Sequence, residues 1–153
     1  MSETLVMSSA TANRPDTLLR VTSATLTAGE TTTERAIPTG HSEAIFYLNV
    51  TTVTLANAND EVRFFFETSY DDGANWVQVA NVFLANAQNG VAQRRVVRFA
   101  GAASSSITTP GTVAAALADN TTVNLPIGSK VRIRTTVAGT APAYAYSCAL
   151  LTR

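Results

Sequence analysis

His41 is the only histidine in the chain and Cys148 the only cysteine. Nucleophilic catalysis needs a nucleophile, a base to activate it and a group to orient that base. His41 stands in the turn Thr39-Gly40-His41-Ser42-Glu43, with a hydroxyl and a carboxylate next to it in sequence. Neighbours along a strand or turn do not face one another, so this tripeptide reads as a solvated loop rather than a triad. Cys148 alternates with Tyr146 and Leu150 and reads as a small buried hydrophobe. A reactive thiol would want a nearby cation or a helix N-terminus, and neither is supplied locally. A lone cysteine also excludes an intramolecular disulfide and a cysteine-based metal site.

Asp71-Asp72 places two carboxylates side by side. Glycosidase carboxylates flank a substrate several ångströms apart, and a calcium loop spaces its acids as D-x-D-x-D-G; neither pattern is met. The pair reads as turn chemistry, with Asp side chains capping backbone N–H groups. Tyr70, Asp71 and Trp76 lie in the same turn and could together form a glycan platform, an aromatic surface beside a carboxylate. The basic groupings are Arg94-Arg95 with Arg98, and Arg132 with Arg134. Arg132 and Arg134 share a strand face, as do Glu61, Arg63 and Glu67, which makes an intersubunit salt bridge between these sets a specific expectation. The chain has no P-loop, no G-x-G-x-x-G and no H-E-x-x-H, and no cofactor can be assigned.

The elements that must position these residues are strands. Val62, Phe64, Phe66, Thr68 and Tyr70 alternate with Glu61, Arg63, Glu67 and Ser69, Phe65 being the one apolar residue on the second face. Asp71-Asp72-Gly73-Ala74-Asn75 then turns the chain into Trp76-Val77-Gln78-Val79, which predicts an antiparallel hairpin. Further strands are expected over 18–26, 31–37, 44–55, 91–99, 130–138 and 143–150, with turns at 57–60, 86–90 and 138–142. Val113–Ala118 alone has helical flavour, as a turn or two of helix or part of a long loop. About eight strands without a helix of ordinary length predict an all-β fold, an antiparallel β-sandwich or jelly-roll-like barrel. The expected organisation is an N-terminal arm over 1–16 and a single sandwich domain over 17–153. Residues 1–16 read either as a disordered tail or as an arm that buries Leu5, Val6 and Met7 on a neighbouring subunit, with Arg14 at its end.

Composition narrows the function classes. The 153 residues carry 11 basic and 11 acidic side chains, so the net charge is zero and no electrostatic footprint for nucleic acid or an anionic membrane appears. Only 14% of residues are charged, against a norm of about 25%. A threonine- and alanine-rich surface of low net charge protects a free monomer poorly and suits a protein whose faces are covered by neighbours. No apolar run approaches the roughly 20 residues needed to cross a bilayer, and the N-terminus lacks a secretory pattern.

The run AIFYLNVTTVTL, the alternating strand ending in Ser69-x-Asp71-x-Gly73 before Trp76, and VRIRTTVAGTAPAYAYS resemble a recurrent small β-sandwich of tailed bacteriophages. The resemblance covers roughly residues 44 to 151. It implies a non-enzymatic virion protein, a head decoration (cement) or accessory structural protein, made in the host cytoplasm and located on the capsid surface. The implied partner is the major capsid protein, and the implied assembly a homotrimer. The expected contact residues are Leu5, Val6, Met7, Arg14, Glu61, Arg63, Glu67, Arg132 and Arg134, and the loop around Gly101–Ala118 reads either as a lattice-contacting loop or as a disordered tip. A glycan-binding or adhesion module of a tail or head fibre, built on Tyr70, Asp71 and Trp76, is the alternative.

Overall fold

The computed structural model describes residues 17–20, 24–100, 116–123 and 125–153. Eight strands appear among them: β1 Thr17–Arg20, β2 Arg35–Ala36, β3 Glu43–Thr54, β4 Glu61–Ser69, β5 Val77–Ala85, β6 Gln93–Ala100, β7 Lys130–Ala138 and β8 Ala143–Thr152. They pair antiparallel in two sheets, β1-β8-β3-β6 and β2-β7-β4-β5. From β1 to β4 and again from β5 to β8 each connection crosses between the sheets, and only β4 and β5 form a hairpin within one. That is the strand order of a jelly roll, which selects between the two all-β architectures the alternation left open.

Period-2 alternation sends one set of side chains between the sheets. From β3 these are Phe46, Leu48 and Val50, from β4 Val62, Phe64 and Phe66, and from β8 Tyr144, Tyr146, Cys148 and Leu150. The aromatic rings lock the two layers together. Phe46 meets Phe66 edge-on at 5.0 Å across the sandwich and stacks on Phe99 at 5.5 Å, while Phe64 packs against Tyr146 at 5.1 Å. Buried tyrosine hydroxyls need partners. Tyr144 finds Thr135 Oγ1 at 2.6 Å and the Ala28 carbonyl at 3.0 Å, and Tyr146 donates to Glu30 Oε1 at 2.8 Å.

Ala28 and Glu30 lie on residues 24–37, where two expected strands shorten. Leu26 makes one bridge to Tyr144 and Thr31 one to Arg134, and only Arg35–Ala36 is a strand. The segment still closes the edge of β7. Thr135 N donates to Glu30 O at 2.7 Å and Thr32 N to Ile133 O at 2.8 Å. Thr32 Oγ1 accepts from Ile133 N at 2.9 Å, so a side chain replaces part of the backbone ladder. That substitution breaks the regular alternation. Residues 116–118 of the expected helical piece are not helical, and 113–115 lie outside the described residues.

Two turns at one end are tied by a single carboxylate. Asp60 is 1% exposed and accepts hydrogen bonds from Asn57 N at 3.0 Å and Thr140 N at 2.7 Å. These bonds outweigh the cost of burial and hold its carboxyl below the usual range.

Candidate functional site: an arginine–aromatic face and an open strand edge

The face of β4 expected to carry outward charges is instead largely buried. Its pairing with β7 places Glu67 opposite Arg132 and Phe65 opposite Arg134. Glu67 is 1% exposed and accepts from Arg132 Nε at 2.7 Å and Arg134 Nε at 2.9 Å. Each guanidinium also lies over an aromatic ring: Arg132 over Trp76 at 4.1 Å and Arg134 over Phe65 at 4.3 Å. One strand over, Arg63 sits 4.4 Å above Phe83 and pairs with Glu61 at 3.1 Å and with Asp119. The Glu61 carboxylate beside it raises the Arg63 guanidinium above its ordinary value. The result is a ladder of cations sandwiched between rings and carboxylates, running across the outer face of the β2-β7-β4-β5 sheet.

This arrangement corrects one expectation. The shared faces of Glu61, Arg63 and Glu67 and of Arg132 and Arg134 predict salt bridges to a neighbouring subunit; the register of β4 and β7 satisfies them within one chain. Phe65, the apolar exception in the alternation, is the sign that this face was covered. The polar residues of β5 on the same face also bond to residue 117. Gln78 Oε1 accepts from Leu117 N at 3.1 Å, and Asn81 Nδ2 donates to the Leu117 carbonyl at 3.0 Å. Residues 121–123 then run beside β5, with Asn81 N donating to Thr121 O and Val123 N to Val79 O. Leu5, Val6, Met7 and Arg14 lie outside the described residues, as do residues 101–115 of the small-residue loop.

The Tyr70–Trp76 turn brings together the residues of the glycan alternative, but their polar atoms are already engaged. Asp71 accepts from Ser69 Oγ at 2.8 Å, Asn75 N at 2.8 Å and Asn75 Nδ2 at 2.6 Å. The Asn75 contacts, with that of Ser69, hold its carboxyl down at about 2. Tyr70 is half-exposed, yet its hydroxyl donates to the Pro126 carbonyl at 2.5 Å. Trp76 Nε1 donates to Gly73 O at 3.0 Å, and Arg132 covers one face of its ring. Asp72, in the left-handed region at φ 58°, is paired with Lys130 Nζ at 3.2 Å.

His41 and Cys148 are likewise placed. His41 Nδ1 lies 2.7 Å from Thr152 Oγ1, while Glu43 pairs with Arg98 and Arg153. Cys148 is fully buried, and desolvation pushes its thiol up to about 12. Among the described residues no group of three or more His, Cys, Asp and Glu side chains could hold a metal ion.

What remains uncommitted lies on the other sheet. On its outer face Tyr47 of β3 stands opposite Val96 of β6, and both are exposed, Val96 at 65%. Val91, just before β6, is exposed as well. Among the described residues strand β6 ends its sheet, and it reads Gln-Arg-Arg-Val-Val-Arg-Phe-Ala, with no acidic residue. Arg98 has Glu43, but Arg94 and Arg95 have no carboxylate within salt-bridge distance among the described residues. Beside this strand a cleft of about 510 Å³ separates β6 from β5, lined by Arg95, Val96, Val97, Asn81, Phe83 and Asn120 among others. Sequence reasoning registered the β6 arginines only as a solvated face. The missing signal was tertiary, because nothing local tells which strand closes a sheet.

No known protein family, characterised protein or solved structure matches the chain.

Proposed function

We propose that the chain is a non-enzymatic structural protein of a tailed bacteriophage, a decoration (cement) protein that binds the capsid surface as a homotrimer and reinforces the head. One observation carries the reading. Acid–base groups that could do chemistry are tied into structural pairs, Glu67 with two arginines, Glu43 with two more, and Asp60 and Asp71 with turn donors. The free chemistry among the described residues is a surface: exposed Tyr47 and Val96 beside Arg94 and Arg95, which have no carboxylate partner there. Such a molecule is suited to holding rather than converting. The sequence resemblance supplies the particle, and the jelly-roll order is compatible with it as analogy, since viral capsid and lectin domains share it. Multivalent attachment would let a small interface per subunit suffice, because each further contact forms at high effective concentration.

The glycan-binding alternative draws less support, since Asp71, Tyr70 and Trp76 spend their polar atoms within their own turn. The test is co-sedimentation of the purified protein with expanded phage heads stripped of accessory proteins, alongside native mass spectrometry of the free protein. Saturable binding that raises the temperature at which heads release DNA is expected, with a trimer in solution. A protein that neither sediments with such heads nor alters their stability would overturn the reading.

A further inference from the structure

We infer that the free edge of β6 is a docking strand for an extended, acidic segment of a partner protein, which adds to the sheet by β-strand addition. Three independent observations meet on this strand. The first is geometric: β6 is the last strand of the β1-β8-β3-β6 sheet, with β3 on one side and no strand among the described residues on the other. In an antiparallel strand alternate residues direct their N–H and C=O groups to opposite sides, so every second residue of β6 presents outward a backbone donor and acceptor with no strand partner among the described residues. The second is electrostatic. Arg94 and Arg95 are exposed and have no carboxylate partner among the described residues, whereas Arg63, Arg98, Arg132, Arg134 and Arg153 all have one. The third is apolar: Val96 is 65% exposed, opposite the exposed Tyr47.

Edge strands in isolated proteins are blunted by charge, bulges or cover. Here the arginines do that blunting, and their sign also selects the occupant. A second copy of this chain pairing through β6 across a two-fold axis would place arginines against arginines: centred on Val96, Arg94 of one copy faces Arg98 of the other. Like charges directly opposite in a sheet are destabilising. An extended segment with Asp or Glu at alternate positions sets them beside Arg94 and Arg98 on the outer face and reverses that sign, while its intervening aliphatic residues would point to the cleft side, along Val97. The neighbouring cleft extends the fit. Asn81 lines it, is 1% exposed, and its Oδ1 has no hydrogen-bond partner among the described residues, which leaves a buried acceptor for a donor from the incoming segment. Main-chain bonds would give affinity and the charge alternation specificity, as in other cases of strand addition.

This inference deepens the binding reading above by naming the partner's chemistry. Its test is separable, because it uses an isolated peptide and needs no phage particle. The probe is a blocked octapeptide alternating Glu with Val and Thr, titrated into the full-length, isotope-labelled protein with amide exchange followed by NMR. Controls are a Lys-for-Glu peptide and a peptide N-methylated on alternate amides. The expected result is slowed exchange at alternate amides of Gln93–Ala100, with no binding by either control. The double variant Arg94→Glu/Arg95→Glu, both sites being exposed, should keep its melting temperature and bind the acidic peptide about 5- to 30-fold more weakly. Equal binding by the N-methylated peptide, protection confined to other strands, or a concentration-dependent dimer dissolved by Val96→Lys would each overturn the inference. Capsid binding that survives the double variant would refute this edge as the contact while leaving the cement reading in place.

Discussion

Replacing Glu67 by Ala should be among the most damaging single changes to this fold outside its apolar core. Glu67 is 1% exposed and is the carboxylate paired with both Arg132 and Arg134, whose side chains retain 18% and 16% of their exposure. Removing one partner of a fully buried pair costs about 3–5 kcal/mol, mostly because a charge is left without compensation. Two features reduce that figure here. The guanidiniums keep some contact with water, and each retains its ring, Trp76 or Phe65, worth about 0.5–2 kcal/mol as a cation–π contact. A loss of about 3 kcal/mol follows, which for a domain of this size lowers the melting temperature by about 6–12 °C. Glu67→Gln keeps the shape and one good acceptor and should lose about half as much. The triple variant Glu67→Leu/Arg132→Met/Arg134→Met should regain most of the stability, because apolar replacement of an entire buried ionic cluster is often neutral or better. Urea unfolding followed by far-UV circular dichroism measures the global change. The fluorescence of Trp76, the single tryptophan, reports the site itself. A Glu67→Ala loss below about 1 kcal/mol would show the cluster to be a surface ion pair in effect. A triple variant weaker than Glu67→Ala would refute the reasoning about desolvation.

The remaining predictions concern acid, the thiol and two turns. Asp71 has its carboxyl lowered from 3.8 to about 2, so its contribution is fully present above pH 3.8 and is lost as the pH falls through about 2. The stability difference between the wild type and Asp71→Ala should therefore be constant above about pH 5 and shrink steadily toward pH 2, as read by urea midpoints across that range. Cys148, pushed up to about 12 and fully buried, should resist alkylation at pH 8 in the native state and react at the ordinary rate in denaturant. Rapid native labelling would contradict its place in the core. Gly40 and Gly139 both have positive φ, at 90° and 110°, but their surroundings differ. A methyl at Gly40 meets nothing within 4 Å, whereas at Gly139 it would collide with Asp60 Oδ1 and sit 2.6 Å from the Asp60 Cα. Gly40→Ala should cost about 1–2 kcal/mol from backbone conformation alone, and Gly139→Ala clearly more, by thermal unfolding. Similar losses at the two sites would remove Asp60 as the clamp between turns.

The sequence made the long strands legible wherever one face is apolar and the other polar. The hairpin of β4 and β5, and the pair β7 and β8, follow from period-2 alternation and from turns whose Gly and Asp residues suit the required backbone. Residues 24–37 were less legible because Thr32 and Glu30 support β7 through side-chain as well as backbone bonds, which leaves no regular pattern. The sharing of a face by Glu61, Arg63 and Glu67, and by Arg132 with Arg134, was visible. Their mutual pairing was not, because the register between β4 and β7 is set by sheet closure across about sixty residues of chain. Phe65 carried the hint, an aromatic residue on a face otherwise read as solvated. The β6 edge illustrates the opposite limit: its composition was plain, but its position at the margin of a sheet is a property of the whole topology.

The place of β7 and β8 in the strand order has a consequence for how the chain is built. β8 lies between β1 and β3, and β7 between β2 and β4, so these two strands each occupy an interior lane of one sheet. Until Lys130–Thr152 leave the ribosome, β1 and β2 have no neighbours, and both β3 and β4 show a bare backbone flank. Only the β4–β5 hairpin and the β3–β6 pair can form ahead of that moment, and neither completes a layer. Closure is thus a late event that depends on distant pairings, which slows folding and leaves sticky flanks exposed in the meantime. The scarcity of long uncharged aliphatic runs in β6 and β7, each carrying arginines at short intervals, is the safeguard for that interval of synthesis.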